Sequence, residues 1–356
     1  MAIAVFYDDC ERGIKPAVMA SLPHNNPIVR KQVILKALSS FNLVFSPVDT
    51  PTDASALFKV HDEQYLSFLQ SVFVNWKELG RDTDYCLPYA EGIVPYCFPA
   101  NRHETAKIIS KLPLLYSIGF YGQDRITPVF KYTWRMAYNS ALLAIRAVDH
   151  LLSMPPHSSV FTLTTLPGHH AKRDRYAGYC FINNAIVAAQ RCRDLNKTMA
   201  IIDVDLHAGD GTFSMAKDLM PDLMFISIHC DPRFEFPFYS GFEEENTDNL
   251  INYTLPPKTS CDVYMATLTK AIEKLKTVNA DVIIVSLGED TAQGDPDITE
   301  NSGGFALTPN DFNQMGVMIR QSLDSHILIL QEGGYDLKTN VPQCVNEFVK
   351  GMDQSC

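Results

Sequence analysis

The chain is short of positive charge. Its 30 Lys and Arg face 41 Asp and Glu, a formal net charge of −11 at pH 7. That balance argues against nucleic acid or an anionic membrane as a partner, and it is compatible with a small cationic substrate. No apolar run is long enough to span a bilayer. The first nine residues, Met1 to Asp9, lack a basic segment and a long apolar core, so a short strand is expected there rather than a signal peptide. The nine cysteines are odd in number and irregularly spaced, with no C-x-x-C pair. Reduced thiols in a cytoplasmic compartment are expected. No repeat, low-complexity stretch or linker interrupts the 356 residues, which favours a single domain over 1–356.

What is present is an alternation. Residues 3–7 read as a strand. Residues 27–38 read as a helix with Ile28, Ile34, Leu35 and Leu38 toward one side, and 60–69 as the start of another. Between 80 and 130 the pattern dissolves into a long loop insertion. Its aromatics (Tyr85, Tyr89, Tyr96, Phe98, Tyr116, Phe120, Tyr121) suggest an ordered, functional loop. A strong amphipathic helix covers 132–153. Strands over 160–166, 199–205, 223–229, 281–287 and 326–330 then alternate with helices over 184–195, 212–219 and 262–278. A further helix opens at Thr308, Pro309 and Asp311 with a capping-box start. Apolar strands alternating with helices imply an α/β fold: a mainly parallel sheet covered by helices on both faces.

The stretch from Met199 to Gly211 organises the chain. An apolar run turns acidic without losing its alternation, so Asp203, Asp205 and His207 fall at i, i+2 and i+4. On an extended strand they share one face, roughly 6–7 Å apart from one to the next. Such a group is costly to bury unless a cation neutralises it. The alternative is a strand running into a solvated acidic turn. In parallel sheets, ligands bind beyond the carboxyl ends of the strands, and five strands here end in polar clusters. They are Pro167 to His170; Asp203, Asp205, His207 and Asp210; His229 and Asp231; Glu289, Asp290 and Asp295 to Asp297; and Glu332 to Tyr335. That is the pattern of a catalytic rim.

Chemistry suggests roles. Asp205, His207 and Asp290 offer two carboxylates and one imidazole to a single ion, leaving positions open, as catalytic zinc sites do. Water on such an ion has a pKa near about 7 and becomes a hydroxide-like nucleophile. His169 and His170, in a Pro-Gly turn, offer a ring to take a proton and pass it to a leaving amine. Asp203 and Asp210, where they are not metal ligands, can orient those rings. Tyr335, behind Gly333 and Gly334, can donate to a developing oxyanion. Zinc and ferrous iron both suit this donor set.

These stretches resemble the zinc-dependent histone deacetylase superfamily, with its arginase-like fold, and most closely its acetylpolyamine amidohydrolase branch. The matching segments are residues 167–171, 178–184, 203–207, 209–212, 227–232, 286–291 and 332–335, with weaker similarity over 60–66 and 252–257. The resemblance implies Asp205, His207 and Asp290 as zinc ligands and His170 as the main general base and acid. It implies His169 as the electrostatic partner of His170, and Tyr335 as the phenol that polarises the carbonyl. Asp203 would pair with His169 and, with Ser227, bind a structural potassium ion. Asp210 would pair with His170. Gly178, Tyr179 and Phe236 would line the acyl tunnel, and Arg30 matches an arginine behind the site. The arginase branch is disfavoured, because it needs a second Asp-x-Asp pair where this chain has Glu289-Asp290-Thr291.

Departures bear on substrate. The acetylpolyamine branch carries a loop glutamate that meets a distal ammonium. Ile126 stands at that position here, with Asp124 two residues away as a substitute. Asp297 falls where eukaryotic polyamine deacetylases place a gatekeeper glutamate. Ala208 follows His207 where relatives commonly have a second histidine. The expected activity is deacetylation of small cationic acetylated amines, acetylpolyamines ahead of protein acetyl-lysine, with an idle acetyl-amine binding protein as a third reading. The early loop could reach a neighbouring subunit, so a homodimer is expected.

Overall fold

Alternating apolar side chains build two cores from one sheet. The computed structural model describes residues 3–16, 24–79, 92–300 and 302–353. Its strands are β1 (Ala4–Tyr7), β2 (Asn42–Phe45), β3 (Ser159–Thr162), β4 (Met199–Asp203), β5 (Met224–Cys230), β6 (Leu250–Leu255), β7 (Val282–Leu287) and β8 (His326–Gln331). In β4, Ala200 and Ile202 enter one core and Ile201 the other. In β7 and β8, Ile283 and Ile327 oppose Ile284 and Leu328 in the same way. This is the two-residue period of a strand buried on both faces. Each buried Ile or Leu contributes roughly 1.5–3 kcal/mol. All neighbours are parallel, in the order β2-β1-β3-β8-β7-β4-β5-β6.

The helices are α1 (Pro27–Ala37), α2 (Ser55–Val60), α3 (Glu63–Glu78), α4 (Arg102–Ala106), α5 (Leu114–Tyr121), α6 (Thr133–Ser153), α7 (Asn184–Asp194), α8 (Asp210–Leu219), α9 (Cys261–Lys276), α10 (Pro309–Ser322) and α11 (Asn340–Asp353). The apolar faces of α6, α7 and α8 fill one core. Those of α9, α10 and α11 fill the other. Loops leaving β3, β4, β5, β7 and β8 gather at the carboxyl edge of the sheet.

Several expectations need correction. The stretch 80–130 is not one loop, since α4, α5 and a 3-10 turn at Ile109–Lys111 lie within it. Tyr85 and Tyr89 fall outside the described residues. The expected strand over 160–166 ends at Thr162. Leu163 N still reaches Phe6 O in β1 (2.9 Å), but Thr164 N turns back to Thr162 O (3.0 Å), and Ser140 Oγ takes Thr165 N and Leu166 N, each at 3.1 Å. The strand expected over 199–205 ends at Asp203, so Asp203, Asp205 and His207 do not share an extended face. The chain curls because Asp203 Oδ1 accepts Asp205 N (3.1 Å) and Asp205 Oδ1 accepts His207 N (2.9 Å). Local side-chain acceptors of this kind compete with a strand ladder.

The helix expected to run through 60–69 breaks at His61, and Asp62 caps α3 by accepting from Tyr65 N. His61 Nδ1 donates to Arg173 O (3.1 Å), while Nε2 accepts from Asn183 N (3.0 Å). Asn183 in turn caps α7. Burial holds this imidazole down at about 4, against about 6.5 in an unfolded chain. The unfolded state therefore binds the proton first. Stability present above pH 6.5 is lost as pH falls toward 4, at about 1.4 kcal/mol per unit and on the order of 3 kcal/mol in all. Urea unfolding of the metal-free protein at pH 7 and 4.5 is expected to show that loss, and His61→Gln to reduce it. Equal pH slopes in the two proteins would contradict the assignment.

Candidate active site

Asp205, His207 and Asp290 meet at the carboxyl edge, all buried, with one donor atom of each within 4.8 Å of the others. His207 Nδ1 is 3.2 Å from both Asp205 Oδ1 and Asp290 Oδ2. Backbone packs tightly behind them. A Cβ on Gly333 would stand 2.2 Å from Asp290 Oδ2, and one on Gly288 would stand 2.0 Å from Asp205 Oδ2. Burial, and then the Asp205 charge, push the Asp290 carboxyl above the ordinary carboxylate range. Two buried carboxylates that repel each other while facing one imidazole nitrogen fit a divalent cation in donor type, number and convergence.

Beside this cluster stand two imidazoles with opposite fates. His169 Nδ1 lies 3.0 Å from Asp203 Oδ2, and its Nε2 lies 3.8 Å from Asp205 Oδ1. Burial opposes its charge, but Asp205 and Asp203 outweigh that and hold His169 up at about 10. His170 is held down at about 4, by burial and then by the charge of His169. Its Nδ1 is 2.8 Å from Asp210 Oδ1, so the proton of the neutral ring sits at Nδ1 and Nε2 keeps a free lone pair. Such a split gives one ring for charge and one for proton transfer. The other oxygen of Asp210 receives Lys172 Nζ (2.9 Å) and Tyr239 OH (3.0 Å).

The turn carrying these histidines is fixed from beneath by Glu332, whose Oε2 accepts Gly168 N (2.6 Å) and His169 N (3.2 Å). Gly178, at φ +52, packs on the His170 ring, where a Cβ would come within 2.2 Å of Cδ2. Tyr179 follows at φ +65, uncommon for an aromatic residue. Thr127 Oγ1 accepts its N–H, and its hydroxyl donates to Asp297 Oδ1 at 3.0 Å. Phe236 stands edge-on to His170, ring centres 4.8 Å apart. Tyr335 is aimed by its backbone, which donates to Asp295 Oδ2 at 2.7 Å. The Arg30 guanidinium sits 5.5 Å from the centre of the Tyr335 ring.

These groups enclose a cavity of about 250 Å³. His169, His170, Gly178, Tyr179, Asp205, His207, Phe236, Asp290, Asp297 and Tyr335 all line it. Asp124 does not. Its two oxygens take Ile126 N, Thr127 N, Thr127 Oγ1 and Gly178 N, so it builds the Gly178 turn, while Ile126 lines the wall. That corrects its expected substrate contact. Asp203 pairs with Ser227 across β4 and β5. Ser227 Oγ also bonds His229 Nδ1 at 2.8 Å.

Sequence reasoning put Asp295 on the polar rim without a role, and did not single out Lys172, Tyr239, His24 or Glu235. His24 Nε2 meets Asp297 Oδ1 at 2.8 Å. Glu235 lines the cavity 3.6 Å from His207 Nε2. The available signal for Asp295 was its position two before Asp297, after the strand that ends at Leu287.

A metal-ready carboxylate–imidazole cluster, a His-Asp dyad and a buried phenol at the carboxyl edge of an eight-stranded parallel sheet describe a deacetylase. Residues 24–352 match the family model of the histone deacetylase domain, and the chain belongs to that family. Acetylpolyamine amidohydrolase 1 of Pseudomonas aeruginosa is 33% identical over 89% of this chain and 88% of that protein. The acetylpolyamine amidohydrolase of Mycoplana ramosa is 35% identical over 78% of each. The crystal structure of acetylpolyamine aminohydrolase from Burkholderia pseudomallei is similar at a TM-score of 0.83 and 26% identity, covering 99% of both chains. The resemblance read from the motifs therefore holds for family and fold. Among the described residues no helix is long and apolar enough to cross a membrane.

Proposed function

We propose that this chain removes acetyl groups from acetylated polyamines by metal-dependent hydrolysis of the amide. The observation that carries the proposal is the convergence of Asp205, His207 and Asp290 with His170 and Tyr335 on one cavity whose wall holds the carboxylate of Asp297. The similarity to acetylpolyamine amidohydrolases supports the substrate class.

Asp205, His207 and Asp290 would hold the cation. Zinc is favoured, and ferrous iron suits the same donors. When bound, it would polarise the amide carbonyl and acidify a water. His170 Nε2 takes the water's proton, and Asp210 stabilises the imidazolium that results. The water oxygen adds to the carbonyl carbon, and His169 beside it favours the negative charge that develops on the carbonyl oxygen. The Tyr335 hydroxyl donates to that oxygen. His170 then returns its proton to the amine nitrogen as the C–N bond breaks, leaving acetate and a free amine. Tyr179 and Phe236 flank the methylene chain, and Asp297 meets the distal ammonium. Asp203 and Ser227 are assigned to a structural potassium ion. A homodimer in a reducing cytoplasm completes the reading, and the seven free cysteines among the described residues agree with that compartment.

The test is a competition on zinc-loaded protein among N-acetylputrescine, N-acetylcadaverine, N8-acetylspermidine and an acetyl-lysine peptide. A kcat/KM advantage of about ten-fold for one polyamine, about 1.4 kcal/mol of transition-state discrimination, is expected. A preference for the peptide would make the chain a lysine deacetylase. No turnover of any acetyl amide would leave only a binding protein.

A further inference from the structure

Glu235 is a charged group whose burial the reaction has not yet explained. It follows β5 by five residues and is 1% exposed, a costly place for a carboxylate without partners. Its partners come from another loop. Ser302 Oγ donates to Oε2 at 2.6 Å, and Thr299 donates through N (2.9 Å) and Oγ1 (3.1 Å). Phe236 N donates to Oε1 at 3.1 Å. That grip leaves Oε1 aimed at His207 Nε2, 3.6 Å away. This is an ion-pair separation, a few tenths of an ångström beyond hydrogen-bond reach.

The far side of the same ring explains the placement. His207 Nδ1 faces Asp205 and Asp290. A ring that gives its Nδ1 lone pair to a cation carries its one proton at Nε2. His207 is 7% exposed, so that proton needs an acceptor inside the protein. Histidines that ligate metals almost always donate their other N–H to a carboxylate, a carbonyl or a water, which fixes the tautomer and strengthens the ligand. We propose that Glu235, locked by Ser302 and Thr299, is the positioning residue that holds the His207 imidazole in its metal-ligating tautomer. The inference rests on the metal reading of Asp205, His207 and Asp290. It adds a link between metal affinity and Thr299 and Ser302, which follow Asp297 closely in the chain.

Zinc dissociation constants, measured by chelator competition on full-length wild type and Glu235→Gln, test this directly. Glutamine keeps the shape and places an amide where the anion was. The expected result is zinc affinity weaker by about 10–100-fold, with the melting temperature of the metal-free protein within a degree or so of wild type. Unchanged zinc affinity in the variant would overturn the proposal. So would a rise in KM confined to cationic substrates at unchanged zinc affinity, which would make Glu235 an ammonium site. A wild-type chain that binds no zinc would overturn the metal reading and this inference together.

The wild-type protein offers a second reading should the variant fold poorly. In its 15N-labelled, zinc-loaded form, the His207 Nε2 proton is expected to be resolved at low field and slow to exchange. Exchange as fast as in free imidazole would overturn the proposal.

Discussion

Asp205→Ala is expected to lose stoichiometric zinc and all measurable turnover, and to cost the metal-free protein a few degrees of melting temperature. Asp205 is fully buried beside Asp290, and each carboxylate opposes the ionisation of the other. Removing one relieves that repulsion and lets Asp290 ionise more easily. Against this, Gly333 N and His207 N each lose an acceptor at 2.9 Å, a net cost of about 1 kcal/mol apiece, and the buried rings of His169 and His207 lose a facing carboxylate. The losses outweigh the relief, so the apo melting temperature should fall modestly. The zinc-loaded protein behaves differently. A ligand at 1,000 times its dissociation constant stabilises the fold by about 4 kcal/mol, and the variant forfeits that increment. Paired melting curves with and without zinc, with elemental analysis, check the claim. A variant that keeps full zinc occupancy would remove Asp205 from the ligand set.

The same residue shows where sequence reading stops. The order of apolar strands and the polar cluster after each were legible, because burial on both faces forces continuous apolar runs and the chemistry sits just beyond them. The geometry inside the Asp203–Asp210 segment was not. A spacing of two says "one face" only while the backbone stays extended, and here Asp203 and Asp205 each bend the chain by accepting a following N–H. That bend sends Asp203 to His169 and leaves Asp205 with His207.

Other omissions have other causes. The last helix, α11, was readable from Val341, Cys344, Val345, Phe348, Val349 and Met352, spaced for one buried face. The outer strands β2 and β6 are only partly buried, so polar residues interrupt their apolar runs and the signal is diluted. Glu235 was beyond reach for a stronger reason. A lone carboxylate in a loop looks the same whether solvated or locked, and what locks Glu235 is Ser302, 67 residues away.

Tyr335→Phe is the sharper test of the chemistry, because it removes one oxygen and little else. The ring is held by contacts that do not need the hydroxyl. The backbone of Tyr335 is anchored on Asp295, the Arg30 guanidinium covers its face, and Tyr179 and His24 meet it edge-on. Phenylalanine should keep that packing, the fold and the zinc. Burial, and then Asp297, push the phenol well above its ordinary value of 10, so Tyr335 is a protonated donor throughout the working pH range. Its contribution is a hydrogen bond that strengthens as charge grows on the carbonyl oxygen. Losing one such donor costs about 10²–10³ in kcat, or about 2.7–4 kcal/mol. KM should change far less, because the ground-state carbonyl carries little charge. The variant should also show no new pH limb, since the group removed does not titrate near neutrality. Steady-state kinetics on zinc-loaded wild type and variant, at matched metal content and across pH 6–9, separate these outcomes. A variant that turns over at the wild-type rate would show that the oxyanion is held by other groups and that Tyr335 only shapes the wall.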